Sequence, residues 1–80
     1  MSGEEILQAV GELAREKLGW RGDVRREMRL VEDLELDSIR LLTLAMAVED
    51  RFRVCLDESD EAGITTVGDL VGIVERKLAT

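Results

Sequence analysis

Asp37-Ser38 is the place in this 80-residue chain where chemistry can begin. The pair heads an apolar-periodic run from Ile39 to Phe52, and Asp37 is placed to accept from the orphan N–H groups of a helix start. Ser38 then falls on the first turn with its hydroxyl near solvent. The positive end of a helix favours negative charge, so a phosphate ester on Ser38 would sit where the backbone stabilises it. No general base accompanies the serine, because the chain has no histidine. Ser-His-Asp, Cys-His and HExxH arrangements are therefore impossible. No glycine-rich phosphate loop is present, and acidic pairs such as Glu32/Asp33 and Asp57/Glu58 need not face one cleft. A chain of this size cannot enclose a substrate and exclude water around a catalytic group, so we expect no catalytic residue and no enzyme.

The remaining chemistry-bearing residues are read as structural. Asp57, Glu58, Asp60 and Glu61 lack the alternation and terminal glutamate of a calcium loop, so a solvated acidic face is expected and no metal site. The single cysteine, Cys55, cannot form an intrachain disulfide and is expected to be a small buried residue between Val54 and Leu56.

Composition narrows the class further. Hydrophobic residues make up 45% and charged residues 36%, with no Pro, no Tyr, one Trp and one Phe. That favours one soluble domain with an aliphatic core, of the size at which roughly 60–65% of the extended-chain surface is buried. The formal charge of −7 opposes nucleic acid as a partner, since such binding neutralises phosphates with Lys and Arg. It also opposes an anionic membrane and favours partners with basic patches. Met1 to Glu5 lacks the regions of a signal peptide, and no apolar run is long enough to span a bilayer. A cytoplasmic location without stable membrane insertion is expected.

The elements that must position Ser38 are helical. Ser2-Gly3-Glu4-Glu5 has capping-box spacing, and Ile6, Leu7, Val10, Leu13, Ala14 and Leu18 recur at helical period before Gly19 closes the helix. Trp20 to Leu36 has no sustained period. Val24, Met28, Leu30, Val31 and Leu34 are expected to pin it to the core, with room for local helix between Val24 and Arg29. The helix after Asp37 carries a core stripe, Leu41, Leu44, Ala45, Val48 and Phe52, and a second row, Ile39, Leu42 and Met46. One stripe suffices for packing, so the second row suggests a partly exposed docking strip beside Ser38. Asp57 to Gly63 reads as one or two helical turns, expected to be the most mobile part of the fold. A final helix is capped by Thr65 or Thr66, with Val67, Leu70, Val71, Val74 and Leu78 inward. The expectation is all-α: a small four-helix bundle of three main helices and one short one, with a long loop between the first two.

Val31-Glu32-Asp33-Leu34, Asp37-Ser38 followed by an aliphatic residue, Met46-Ala47-Val48-Glu49 ending at Phe52, and Ile64-Thr65-Thr66-Val67 together resemble the acyl carrier protein family in order and spacing. The resemblance implies that residues 1–80 form a single acyl-carrier domain. It implies that Ser38 receives 4′-phosphopantetheine from coenzyme A, attached by a phosphopantetheinyl transferase, with Asp37 in support. The arm's thiol then holds acyl groups as thioesters for acyl-transferring and acyl-modifying enzymes of fatty acid, lipid or polyketide-type synthesis. Those partners would dock on Ile39, Leu42 and Met46, with Arg40 and Glu49 beside them, and the carrier would be a monomer. Cargo would fold back among residues such as Leu41, Leu44, Val48 and Ile64.

Departures from the family suggest a specialised member. Carriers for fatty acid synthesis commonly have acidic residues where Arg40 and Thr43 stand, a glycine at Glu35 and a proline at Asp57. From Ser38 to Leu56 three arginines, Arg40, Arg51 and Arg53, face two acids, Glu49 and Asp50, for a net +1. Poor docking on general fatty-acid enzymes is expected. Two other readings stay open: a carrier of aminoacyl or peptidyl units, and a cofactor-free helical interaction module in which Ser38 is dispensable.

Overall fold

The computed structural model describes residues 2–79, which form four helices: α1 (Gly3–Leu18), α2 (Ser38–Phe52), α3 (Glu58–Ala62) and α4 (Val67–Ala79). The all-α bundle with one short helix matches the expectation. Local chemistry explains where each helix starts. Ser2 and Glu5 form the reciprocal capping box that opens α1, and Gly19, at φ 71°, closes it in the left-handed region where glycine bears no Cβ cost. Asp57 and Asp60 form the same box at α3. At α4 the Thr66 hydroxyl accepts from the Asp69 N–H at 3.1 Å, while the Asp69 carboxylate accepts from the N–H groups of Thr65 and Thr66, both at 3.0 Å.

α1 packs against both α2 and α4. The core is aliphatic except for Phe52: Ile6, Val10, Leu44, Val48, Val67, Val71 and Val74 are sealed from solvent. Periodicity located most of this stripe. It missed Ala9 and Ile73, which are buried, and placed Leu78 inward although it is 37% exposed.

Residues 19–37 hold no helix; the Val24–Arg29 stretch contributes only a turn at Arg26 and Glu27. Leu30, Leu34 and Leu36 are buried, whereas Val31 points outward and pins nothing. Burial of about 1.5–3 kcal/mol per leucine holds this segment down. So does backbone pairing with the start of α4. Leu30 donates to the Thr65 carbonyl (3.1 Å), Val67 to Met28 (2.9 Å) and Gly68 to Arg26 (2.9 Å), around an antiparallel bridge between Arg29 and Thr66.

α3 buries no side chain of its own and is too short to persist alone. It is tied just before its start and at its middle. Glu49 Oε2 accepts from the Leu56 N–H at 2.9 Å just before it, and Lys77 Nζ on α4 reaches Asp60 Oδ2 at 2.9 Å. The hydrogen bond from Lys77, then the one from the Asp57 N–H, hold the Asp60 carboxyl below its ordinary range. A depressed carboxyl stabilises the fold above its unfolded pKa, and that contribution is lost as pH falls through the folded value.

Two glycines of α4 differ in their surroundings. A methyl at Gly72 would meet nothing within 4 Å, but at Gly68 it would stand 3.1 Å from the Arg26 carbonyl oxygen. Gly72→Ala is therefore expected to raise stability by up to about 1 kcal/mol, and Gly68→Ala to give no such gain. Urea midpoints at unchanged slope check both. Equal gains at the two sites would refute the close approach at Gly68.

Candidate functional site

The site forms where the long loop ends and α2 begins. Asp37 is the N-cap, in extended conformation (φ −87°, ψ −178°), and its Oδ1 accepts from the Arg40 N–H at 2.8 Å. Its carbonyl accepts from Leu41 at 2.8 Å, so helical bonding starts at once. Ser38 is thus the first helical residue. Its side chain is exposed, and no hydrogen bond engages its hydroxyl among the described residues.

The segment leading to the cap is built rather than merely solvated. Asp33 Oδ2 accepts from the Arg29 N–H at 2.7 Å, while the Asp33 and Leu34 N–H groups donate to the Arg29 carbonyl. Arg29 also pairs with Glu32. Glu35 sits in the left-handed region (φ 55°), where a side chain costs about 1 kcal/mol or more. A glycine, which the resemblance leads one to expect at this place, would bear no such cost. Of the acids around Ser38, Asp33 is tied into the turn, Glu32 pairs with Arg29 and Asp37 caps α2, whereas no hydrogen bond or ion pair engages Glu35 among the described residues.

Beside Ser38 lies an apolar cavity of about 300 Å³, lined by Ser38, Leu41, Leu42, Leu44 and Ala45 of α2, Leu30, Glu61, Ile64 and Leu70. This volume is at the lower end of small-molecule sites. Its walls come from α2, the long loop, the α3 region and α4, which is why no local sequence pattern reveals it. Leu41, Leu44 and Ile64 line it as the sequence suggested. Val48 does not: it is fully buried within the core.

The second row of α2 is on the surface. Ile39, Leu42 and Met46 are 77%, 54% and 58% exposed. Arg40 is exposed too, on the other flank of the helix, where it lines a small cavity with Trp20, Glu35 and Leu36. Glu49, expected beside the strip, is half-buried with its carboxylate on the Leu56 N–H. Its evident work is to hold the α2–α3 connection. Cys55 corrects the expectation of burial: the thiol is exposed, and its neighbours Val54 and Leu56 do the packing instead.

An exposed hydroxyl at a helix N-terminus, unengaged and beside an apolar cavity, suits a covalently attached phosphodiester with an apolar cargo. Phosphate charge would meet the helix's positive end, and a chain would find the cavity within reach. Among the described residues no group of three or more His, Cys, Asp or Glu could hold a metal ion, and no helix is long and apolar enough to cross a membrane.

A family model described as the phosphopantetheine attachment site matches residues 8–74. The chain is 42% identical over 78 residues to an acyl carrier protein of Thermotoga maritima, covering 96% of each. It is 35% identical over 79 residues to an acyl carrier protein of Exiguobacterium, covering 98% of this chain and all of that one. The crystal structure of the acyl carrier protein from Thermotoga maritima superposes with a TM-score of 0.85 at 30% identity, over 99% of this chain and 93% of that one.

Asp37→Ala is expected to cost about 1 kcal/mol of stability, with a range of roughly 0.5–2, through loss of the cap on α2. Asp37→Asn should lose much less. Denaturant midpoints of the pair check this, and equal losses would mean that Asp37 acts by charge rather than as a cap.

Proposed function

We infer the function from one premise: the chain belongs to the acyl carrier protein family. Its cofactor is 4′-phosphopantetheine, and we propose Ser38 as the attachment point, with Asp37 in support. The observation that carries this is the free hydroxyl of Ser38, fixed on the first turn of a capped helix beside an apolar cavity.

When attached, the arm supplies a terminal thiol that holds an acyl group as a thioester. What the chain supplies is position. Asp37 sets the first turn of α2, the turn at Arg29–Leu34 sets the approach, and Leu41, Leu44, Ile64 and Leu70 offer an apolar wall. No side chain near Ser38 is placed as a general base, so the hydroxyl depends on a separate phosphopantetheinyl transferase and coenzyme A. In this reading the chain is a non-catalytic substrate of acyl-transferring and acyl-modifying enzymes, in fatty acid or lipid synthesis. Tethering raises the concentration of the intermediate at each enzyme that docks. Residues 1–80 act as one monomeric carrier domain in the cytoplasm, a reading supported by a family match that spans most of the chain. Ile39, Leu42 and Met46 form the docking strip, with Arg40 beside them.

Incubation of the parent and Ser38→Ala with coenzyme A, magnesium and a broad-specificity phosphopantetheinyl transferase tests the assignment. The parent should gain the mass of one phosphopantetheine and the variant none. A parent that stays unmodified, also with the transferases of its own source, would leave the cofactor-free module as the better reading.

With the arm in place, lengthening the acyl chain should shift the NMR signals of Leu41, Leu44, Ile64 and Leu70, and leave Val48 nearly unmoved. Shifts confined to the surface around Ser38 would mean that the cargo stays outside.

A further inference from the structure

The strip on α2 has two unlike borders. Ile39, Leu42 and Met46 expose more than half of their surface each, along one line that starts beside Ser38. Arg40 and Arg51, three helical turns apart, share the flank turned toward α1. Arg40 lines the small cavity there with Ala14, Leu18 and Trp20 of the α1 side. Both arginines are exposed, and neither makes an ion pair among the described residues. The opposite flank faces α3. Glu61 stands at the cavity with Leu42, and Glu49 turns the same way to reach the Leu56 N–H. The acids of α2 are thus Asp50 near the far end of the strip and Glu49 on the α3 flank; α2 itself carries only basic charge on its α1 flank, with Glu35 of the preceding loop beside Arg40.

This charge separation defines what fits. A docking surface of uniform charge would meet repulsion along one border, because like charges across an interface oppose association. An apolar patch with carboxylates on one side and basic groups on the other would meet attraction along both, and in one orientation only. We propose that the Ile39–Met46 strip docks such a partner: a protein surface with carboxylates facing Arg40 and Arg51 and cations facing Glu61. The inference rests on the carrier reading for its purpose, since orientation decides where a group on Ser38 is delivered. It does not rest on it for its charge pattern.

The test uses a ketoacyl synthase with a basic carrier-docking edge and a second version with that edge changed to glutamate on the side expected to meet Arg40. Binding of the parent, Arg40→Glu/Arg51→Glu and Glu61→Lys is measured by thermophoresis at low and high salt, with and without the arm. The parent should bind the half-acidic version about 5-fold more tightly than the all-basic one, an advantage that fades with salt. Arg40→Glu/Arg51→Glu should reverse the preference, and Glu61→Lys should weaken binding to the basic side. Far-UV circular dichroism checks that the variants fold. Equal binding to both synthases, or a parent that prefers the all-basic edge, would overturn the proposal. Because the unloaded chain is measured as well, a failure of arm attachment would count against the carrier reading alone.

Discussion

The structure depends on a short backbone pairing between residues 26–30 and the start of α4. Three N–H···O=C bonds, 28 to 67, 30 to 65 and 26 to 68, join a segment without helix to one that is about to become helix. Such groups would be costly to bury unpaired. Their pairing lets Leu30 reach the core, where it is 2% exposed, and Leu30 in turn forms part of the cavity beside Ser38. The pairing also explains Gly68, whose missing Cβ allows the Arg26 carbonyl to approach. Without this clamp the loop would have three leucines to anchor it but no fixed register, and the Asp37 cap would have no fixed place to begin α2.

From that clamp the molecule divides into a fixed half and a lighter one. α1, α4 and the inner face of α2 supply nearly all of the sealed side chains. α3 supplies none and is held by its neighbours and by the bonds at Glu49 and Asp60. The cavity lies at the junction of these halves. One wall is therefore rigid, the other tied by a few partly buried polar contacts at the edge of the core.

What the sequence made legible was local. Capping residues named themselves at Ser2 and Asp37, and to within one residue at Thr66, because a cap acts within three residues of its own position. Helical period located the core faces, and the surplus row on α2 was recognised because a packed helix needs only one stripe. The cap at Asp37 was legible on the same grounds, whereas the reading of Ser38 as an attachment point came from the resemblance carried by the chain as a whole. What escaped was non-local. Glu49 looks like a surface acid until the chain turns at Arg53 (φ 58°) and brings the Leu56 N–H to it. Asp60 and Lys77 are 17 positions apart in sequence and meet only in the fold. Cys55 was misplaced for the opposite reason: composition says thiols are buried, but an alternating connector can bury only every second residue, and here Val54 and Leu56 took those places.

Trp20 adds an optical dimension. It is the one tryptophan in a chain without tyrosine, and its indole N–H donates to the Asp23 carbonyl at 3.1 Å. The ring is half-buried and shares a small cavity with Glu35, Leu36 and Arg40, next to the turn that presents Ser38. Its emission is therefore spectrally isolated and sensitive to whatever moves that turn or that guanidinium. The molecule carries its own fluorophore near the start of α2, on the flank away from the apolar cavity, so a light signal from it reports events at that surface rather than the filling of the interior.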